Sequence, residues 1–268
     1  MPTNYWPYTE AGYTDEAKKQ LAKLFDGSAP FDTPKPVRLL DRILTIASDE
    51  DSLVLDFFSG SATTAEAVMR KNAKDGGGER RFALIQLPEE VSGGWGNLCN
   101  VGEERIRRAG KKIAAEVEEA NRQLKLGEKP KPIPDIGFRV LRIDSSNIED
   151  TYRTPGETDQ MDLLALANNV KLDRTPEDLL FEVLPKFRIP YSARIERRDL
   201  GGRECFLDGN RLVACFDTEV GTETIEEMAR LEPDYAVMRD TSMRDDATQA
   251  NFEELFKTYS PDTVRRVI

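Results

Sequence analysis

The sequence predicts an α/β protein of two domains, and three observations carry that prediction. A strand, a helix and a second strand follow one another between residues 52 and 87, each strand being a nearly unbroken apolar run, as in parallel sheets. A proline-rich stretch, KPKPIP, then interrupts the chain at residues 129–134 and reads as a stiff linker. Beyond it, short β-type segments alternate with helical patterns. The division expected is therefore residues 1–134 and residues 135–268. The length of 268 residues suits two modest domains at ~150 residues each.

Taken in order, Ala17, Leu21, Leu24 and Phe25 recur at helical spacing and Asp26-Gly27 ends that helix. The breaker run GSAPFDTPKP precedes VRLLDRILTIAS, whose apolar residues Val37, Leu39, Leu40, Ile43, Leu44 and Ile46 cover enough of a helix to predict burial on more than one side. Pro36 suits its first turn. SLVLDFF then predicts a strand buried on both faces, with Ser59-Gly60 closing it. ATTAEAVMRKNA is helical, the glycines at 76–78 punctuate, and RFALIQL is the second strand. A crossover of this kind is right-handed. A long charged helix from Leu98 to Leu126 keeps one narrow apolar stripe, Ile106, Ala109, Ile113 and Val117. In the second domain FRVLRID, a hairpin through REC-FLDGNRLVACFD turning at Asp208-Gly209-Asn210, and YAVMRD are the expected strands. DLLFEVLPKF, ETIEEMARL and ATQANFEELFKTY are the expected helices.

Composition removes whole classes of chemistry. The chain has no histidine, which excludes Ser-His-Asp and Cys-His nucleophile systems and imidazole-ligated metals. Cys99, Cys205 and Cys215 form no CxxC pair, as expected of ordinary small residues in a reducing cytoplasm. A net charge of −11 is the wrong sign for a freestanding grip on nucleic acid. The amino-terminal stretch has no basic lead and apolar run, and no stretch approaches ~18 apolar residues. A cytoplasmic protein without membrane contact is the expectation.

LVLDFFSGSATTAEAVMR is the chemically informative segment. A tight turn and a helix start fall at the carboxyl edge of a parallel strand, where open α/β sheets bind ligands. Gly60 allows close approach of backbone, and the free N–H groups of a helix start favour an anionic group. Asp56 can accept from an amine or hydroxyl. A phosphate-binding P-loop is a poor match, since no lysine precedes the threonine.

In FDTPKPVRLLDRIL, DFFSGSATT and RFALIQLPE the chain resembles the cofactor half of DNA amino-methyltransferases whose S-adenosylmethionine motif lies downstream of the catalytic one. TPKP with LLDRIL, the length of DGGGERRFALIQLPE, and GEERIRRAGKKI resemble more narrowly the modification (Mod) subunit of type III restriction-modification systems, adenine-N6 enzymes. NNVKLDRTPEDLLFEVLPKFRIP and NRLVACFDTEV resemble that subunit's carboxyl-terminal region. The resemblance implies a partial Rossmann-like S-adenosylmethionine-dependent methyltransferase sheet followed by a smaller α/β domain for assembly or dimerisation. It implies S-adenosyl-L-methionine as cofactor, with Asp56, Phe57, Ser59, Gly60, Ser61 and Thr63 lining its pocket. Lys35 and Pro36 would approach the methionine carboxylate, Thr33 would add a hydroxyl, and Gln86 or Glu89 would hold the ribose. Ala62 stands where the family usually has glycine. Phe57 and Phe58 are expected in the core, even with a ring edge reaching the adenine.

The helix Glu103 to Lys112 leaves two readings open: a solvated face of i,i+4 ion pairs, or a DNA-backbone stripe from Arg105, Arg108 and Lys112. No Asp-Pro-Pro-Tyr-type loop occurs in the chain, although such enzymes use it to hold the exocyclic amine of a flipped base. Two strands cannot finish a doubly wound sheet, so a missing catalytic and target-recognition half is expected, through which DNA would be contacted. Methyl transfer by the isolated chain is not expected. The alternatives are an assembly module with a vestigial cofactor site, binding a second copy or a restriction subunit, and a nucleotide-binding regulator.

Overall fold

A computed structural model describes residues 5–125, 127–148, 170–239, 242–243 and 246–268. The chain divides into two compact units, Met1–Val140 and Leu141–Ile268. In the first, helix α1 spans Tyr8–Ala11, α2 Thr14–Leu24 and α3 Val37–Ala47, with Pro36 just ahead of α3 in extended conformation. Strand β1 is Leu53–Asp56, α4 Thr63–Asp75, β2 Arg81–Leu84 and α5 Leu98–Arg122. β1 and β2 are parallel, Leu53 opposite Arg81 and Asp56 opposite Leu84.

Alternation along the strands sends Val54 and Phe82 into a cluster with Leu44 of α3 and Ala67 and Val68 of α4. Leu84 joins the core between α4 and α5, with Ala65, Met69, Ile106 and Ile113. The seven residues opening α4, Thr63 to Met69, are all buried, because α3 and α5 pack against that helix. The other side of the sheet departs from the expected two-sided burial: Leu53, Leu55, Phe57, Ile85 and Leu87 are exposed. No described layer covers them. α3 is likewise less buried than its apolar pattern predicts. Leu44 is buried, but Ile43 and Ile46 face solvent, since neither α4 nor α1, the helices packed against α3, covers them.

The proline stretch at 129–134 is irregular, as expected, but the chain just after it remains on the first unit. Ile136 and Phe138 pack on the α4–α5 core, Ile136 crossing α5 at Gly110, where a side chain would come within 3.0 Å of it. Residues 138–144 are therefore not a strand. Phe138 is held under Arg107, and among the described residues no strand pairs alongside. The unit boundary falls six residues beyond the linker end expected from sequence.

In the second unit, α6 (Pro176–Val183) runs into a 3₁₀ turn at Leu184–Phe187. Then come β3 (Glu196–Leu200), β4 (Arg203–Asp208), β5 (Leu212–Cys215), α7 (Thr222–Arg230), β6 (Tyr235–Met238), α8 (Asp246–Tyr259) and β7 (Val264–Val267). They build one sheet in the order β3-β4-β5-β6-β7, antiparallel from β3 to β5 and parallel from β5 to β7. The hairpin turns at Gly209, in the left-handed region at φ 51°. α7 and α8 cover one face through Ile225, Met228, Phe252 and Phe256. α6 covers the other, with Leu179, Leu180 and Val183 against Phe206 and Phe216.

Candidate functional site

The turn between β1 and α4 is fixed by side chains arriving from three elements. Asp56, the last residue of β1, accepts from the Phe58 N–H at 3.2 Å through Oδ1 and from the Thr64 hydroxyl at 2.5 Å through Oδ2. That ties the strand end to the first turn of the helix. Beyond β2, the Gln86 Oε1 accepts from the Gly60 N–H at 2.8 Å, and its Nε2 donates to the Leu87 carbonyl at 3.1 Å. The backbone closes the arrangement: Ser59 N–H donates to Ile85 O, and Ala62 N–H to Ser59 O. Ala62 precedes α4 in the left-handed region, φ 59° and ψ 37°. Its methyl faces Gly102 of α5, which has no side chain to collide with it.

The third clamp comes from α5 and was not anticipated. Arg105 is 1% exposed. Its Nε donates to Glu66 Oε2 at 3.0 Å, and its Nη1 to Ser61 Oγ at 3.0 Å, Thr63 Oγ1 at 2.7 Å and Ser61 O at 3.4 Å. Burial holds the Arg105 pKa below its ordinary value, with the Glu66 carboxylate opposing the shift only in part. An Arg105–Arg108–Lys112 stripe for DNA is thereby overturned. Arg105 is inside, and Arg108 is committed to Glu104 and Asp26, at 2.6 Å each, over the Phe25 ring. The rest of that helix matches the solvated reading, with Arg107 on Glu103. Sequence did contain a signal for Arg105: it lies four residues before Ala109, on the apolar stripe of α5.

The predicted ligand residues separate into two groups. Ser61, Thr63, the Gly60 N–H and Gln86 are engaged within the protein. Thr33, Lys35, Phe57 and Glu89 are exposed, while Asp56 and Ser59 are partly so. Pro36 is buried against Gly12. The stretch carrying Thr33 and Lys35 reaches the turn through Phe31, whose ring would lie 3.6 Å from a side chain at Gly60. Phe57 and Phe58 are not core residues: they are 59% and 83% exposed, their rings tilted at 54° with centroids 5.1 Å apart, because they follow β1 on the uncovered side.

After β2, the loop to α5 is held by Trp95 against Phe25 and by the Leu98 N–H on Glu89 O. Cys99 donates to the Gln86 carbonyl at 3.4 Å, and burial together with Glu103 pushes its thiol pKa up, so it is no nucleophile. Among the described residues no cluster of Cys, Asp or Glu could hold a metal ion. A cleft of about 220 Å³ between α4 and α5, bordered by Arg70, Ile113, Glu116 and Lys131, includes none of the predicted ligand residues. None of the described helices is long and apolar enough to cross a membrane.

A parallel strand, a tight turn and a helix start, with the Phe31 ring beside the turn, form the kind of carboxyl edge at which open α/β sheets bind ligands. In comparison with known proteins, residues 1–116 match the family model described as DNA methylase. The chain is similar to Mod-type DNA methyltransferases. It is 36% identical to the type III restriction-modification enzyme StyLTI Mod subunit of Salmonella typhimurium over 168 residues, 60% of this chain and 23% of that protein. With the EcoPI Mod subunit of Escherichia phage P1 the identity is 34% over 190 residues, 66% of this chain and 25% of the relative. With the EcoP15I Mod subunit of Escherichia coli it is 27% over 91% of this chain and 36% of the relative. The chain thus spans between about a quarter and about a third of the length of these relatives.

Proposed function

We propose that the first unit is the cofactor side of a DNA adenine-N6 methyltransferase of the type III Mod class, a partial Rossmann-like sheet that binds S-adenosyl-L-methionine. The single observation that carries this reading is the approach of the Phe31 ring, at the start of the lysine-bearing stretch, to Gly60 in the turn at the carboxyl edge of β1. The exposed groups fit the cofactor's chemistry. The Lys35 ammonium suits the methionine carboxylate, with Thr33 beside it, and Phe57 offers a face to adenine. Because both ends of the Gln86 carboxamide are engaged, the ribose hydroxyls fall to the exposed Glu89 carboxylate; Ser59 remains at the mouth of the turn, which Asp56 ties to α4. The residues engaged internally, Gly60, Ser61 and Thr63, shape the pocket wall.

The bound cofactor would supply an electrophilic methyl group on sulfonium sulfur. What this chain's own residues do is bind and orient it. Holding the adenine amine falls to the Asp-Pro-Pro-Tyr-type loop of a complementary half, which also contacts DNA and reads the target. The uncovered face of β1 and β2 supports the existence of that half. The second unit, with its own two-sided core, suits assembly with a second copy or a restriction subunit. Three unpaired cysteines suit a reducing cytoplasm.

Titration calorimetry of the chain with S-adenosylmethionine tests the reading: one saturable site is expected, not displaced by ATP, and no methyl transfer to DNA by the chain alone. A second reading, an assembly module with a vestigial site, draws on the internal use of Gly60, Ser61, Thr63 and Gln86. It predicts no heat above dilution in the same titration.

A further inference from the structure

We propose that Arg105 is a positioning residue for the donor site, holding the β1–α4 turn in its ligand-ready shape before any ligand arrives. The inference rests on the cofactor-binding reading of that turn. Three facts support it. The guanidinium is 1% exposed and points its Nη1 at oxygens on both sides of Ala62, namely Ser61 Oγ and O and Thr63 Oγ1. Ala62, between them, is left-handed at φ 59°, a conformation an alanine keeps only where its surroundings enforce it. Finally, the charge that makes a buried guanidinium tolerable comes from Glu66, one helical turn into α4, and Glu66 is itself tied to Arg70 at 3.0 Å. The chain from Arg70 through Glu66 to Arg105 therefore fixes the turn from beneath. The outward side, with Ser59 and Phe57, is left to a ligand. Arg105 itself, under Ala62 and Thr63, acts through the turn and does not touch the ligand.

Three variants of the full chain test this, Arg105→Met, Arg105→Lys and Glu66→Gln, each read by thermal unfolding, amide hydrogen exchange and calorimetry with S-adenosylmethionine. Arg105→Met is expected to speed exchange of the Gly60–Thr64 amides at least tenfold while the β2 amides stay protected, and to weaken cofactor binding at least tenfold. Arg105→Lys keeps a cation on Glu66 but reaches fewer turn oxygens, so it should restore most of the thermal stability and only part of the affinity. Glu66→Gln, which touches no turn oxygen, should loosen the same amides several-fold. Arg105→Met with parental exchange at 60–64 would overturn the proposal. If that variant does not fold, parental exchange and affinity in both Arg105→Lys and Glu66→Gln would overturn it instead. Should the parent chain bind no cofactor, the functional reading fails, and the exchange arm still decides the role of Arg105.

Discussion

Gly12 and Pro36 show how one backbone angle can set the position of a site segment. Gly12 has φ 84° and ψ 178°, a region open essentially to glycine alone, and a side chain there would come within 2.6 Å of Pro36 Cβ. Gly12→Ala therefore combines backbone strain with overlap, and the expected loss is about 3 kcal/mol. A urea midpoint equal to the parent's would contradict this. Ala62 is a different case. Replacing it by glycine would relieve about 1–2 kcal/mol of left-handed strain. It would also remove a buried methyl worth about 0.8 kcal/mol and loosen the unfolded chain by about 0.4–1 kcal/mol. The terms nearly cancel, so Ala62→Gly should leave stability within about 1 kcal/mol of the parent. A residue of this kind can therefore differ from the family's usual glycine at little thermodynamic cost. The turn at Gly60 and the helix start after Pro36 were legible because glycine and proline mark special backbone. Arg105 was hidden because its neighbours Glu103, Glu104, Arg107 and Arg108 made the whole segment look solvated.

At the scale of elements, the connection from α4 to β2 keeps the sheet in register with its crossover helix. Asn72 is buried and bridges Arg80, donating to its carbonyl at 2.9 Å and accepting from its N–H at 3.3 Å. Asp75 closes the same connection, accepting from Lys71 at 2.8 Å and from Arg80 at 2.7 Å. The Lys71 hydrogen bond first, and the Arg80 one after it, hold the Asp75 carboxyl below the usual value of 3.8. The folded chain thus binds fewer protons here than the unfolded chain. The stabilisation is complete above the ordinary aspartate pKa and is lost as pH falls through the depressed folded value. Asp75→Asn should cost up to about 1 kcal/mol at pH 7, with the difference from the parent shrinking as pH falls through the depressed folded value. A gap that widens on acidification in urea titrations would refute the assignment. The strand–helix–strand unit itself was legible because the apolar period changes twice between residues 52 and 87. β3 and β7 were not, since ERRDL and VRRV are edge strands that carry charges into solvent. FRVLRID has the alternation of a strand, but pairing needs a neighbour, and Phe138 is occupied by α5.

For the first unit as a whole, the mismatch between apolar pattern and burial is the decisive quantity. Leu53, Leu55, Phe57, Ile85 and Leu87 are each more than half exposed on one side of a two-stranded sheet. Completing the burial of a large apolar side chain yields about 1 kcal/mol for the exposed half. Five of them therefore leave about 5 kcal/mol unrealised, comparable with the whole stability of a small domain. The continuous run SLVLDFF is what a strand covered on both faces requires, and that cover would be supplied by the complementary half proposed above. A lysine on each face tests the asymmetry. Leu55→Lys should change the stability of the isolated chain by less than about 1 kcal/mol, because the side chain already meets water. It should also lower binding of an apolar fluorescent dye and any self-association. Val54→Lys, one residue earlier, would place an ammonium against Leu44, Val68 and Phe82, and should unfold the unit, since an unpaired charge there has no compensating partner. If the two variants lose stability equally, the face bearing Leu55 is covered in solution and the argument for a complementary half loses its structural support. If they differ as expected, Leu55→Lys becomes the variant to mix with a candidate half, where failure to associate would locate the contact on this face.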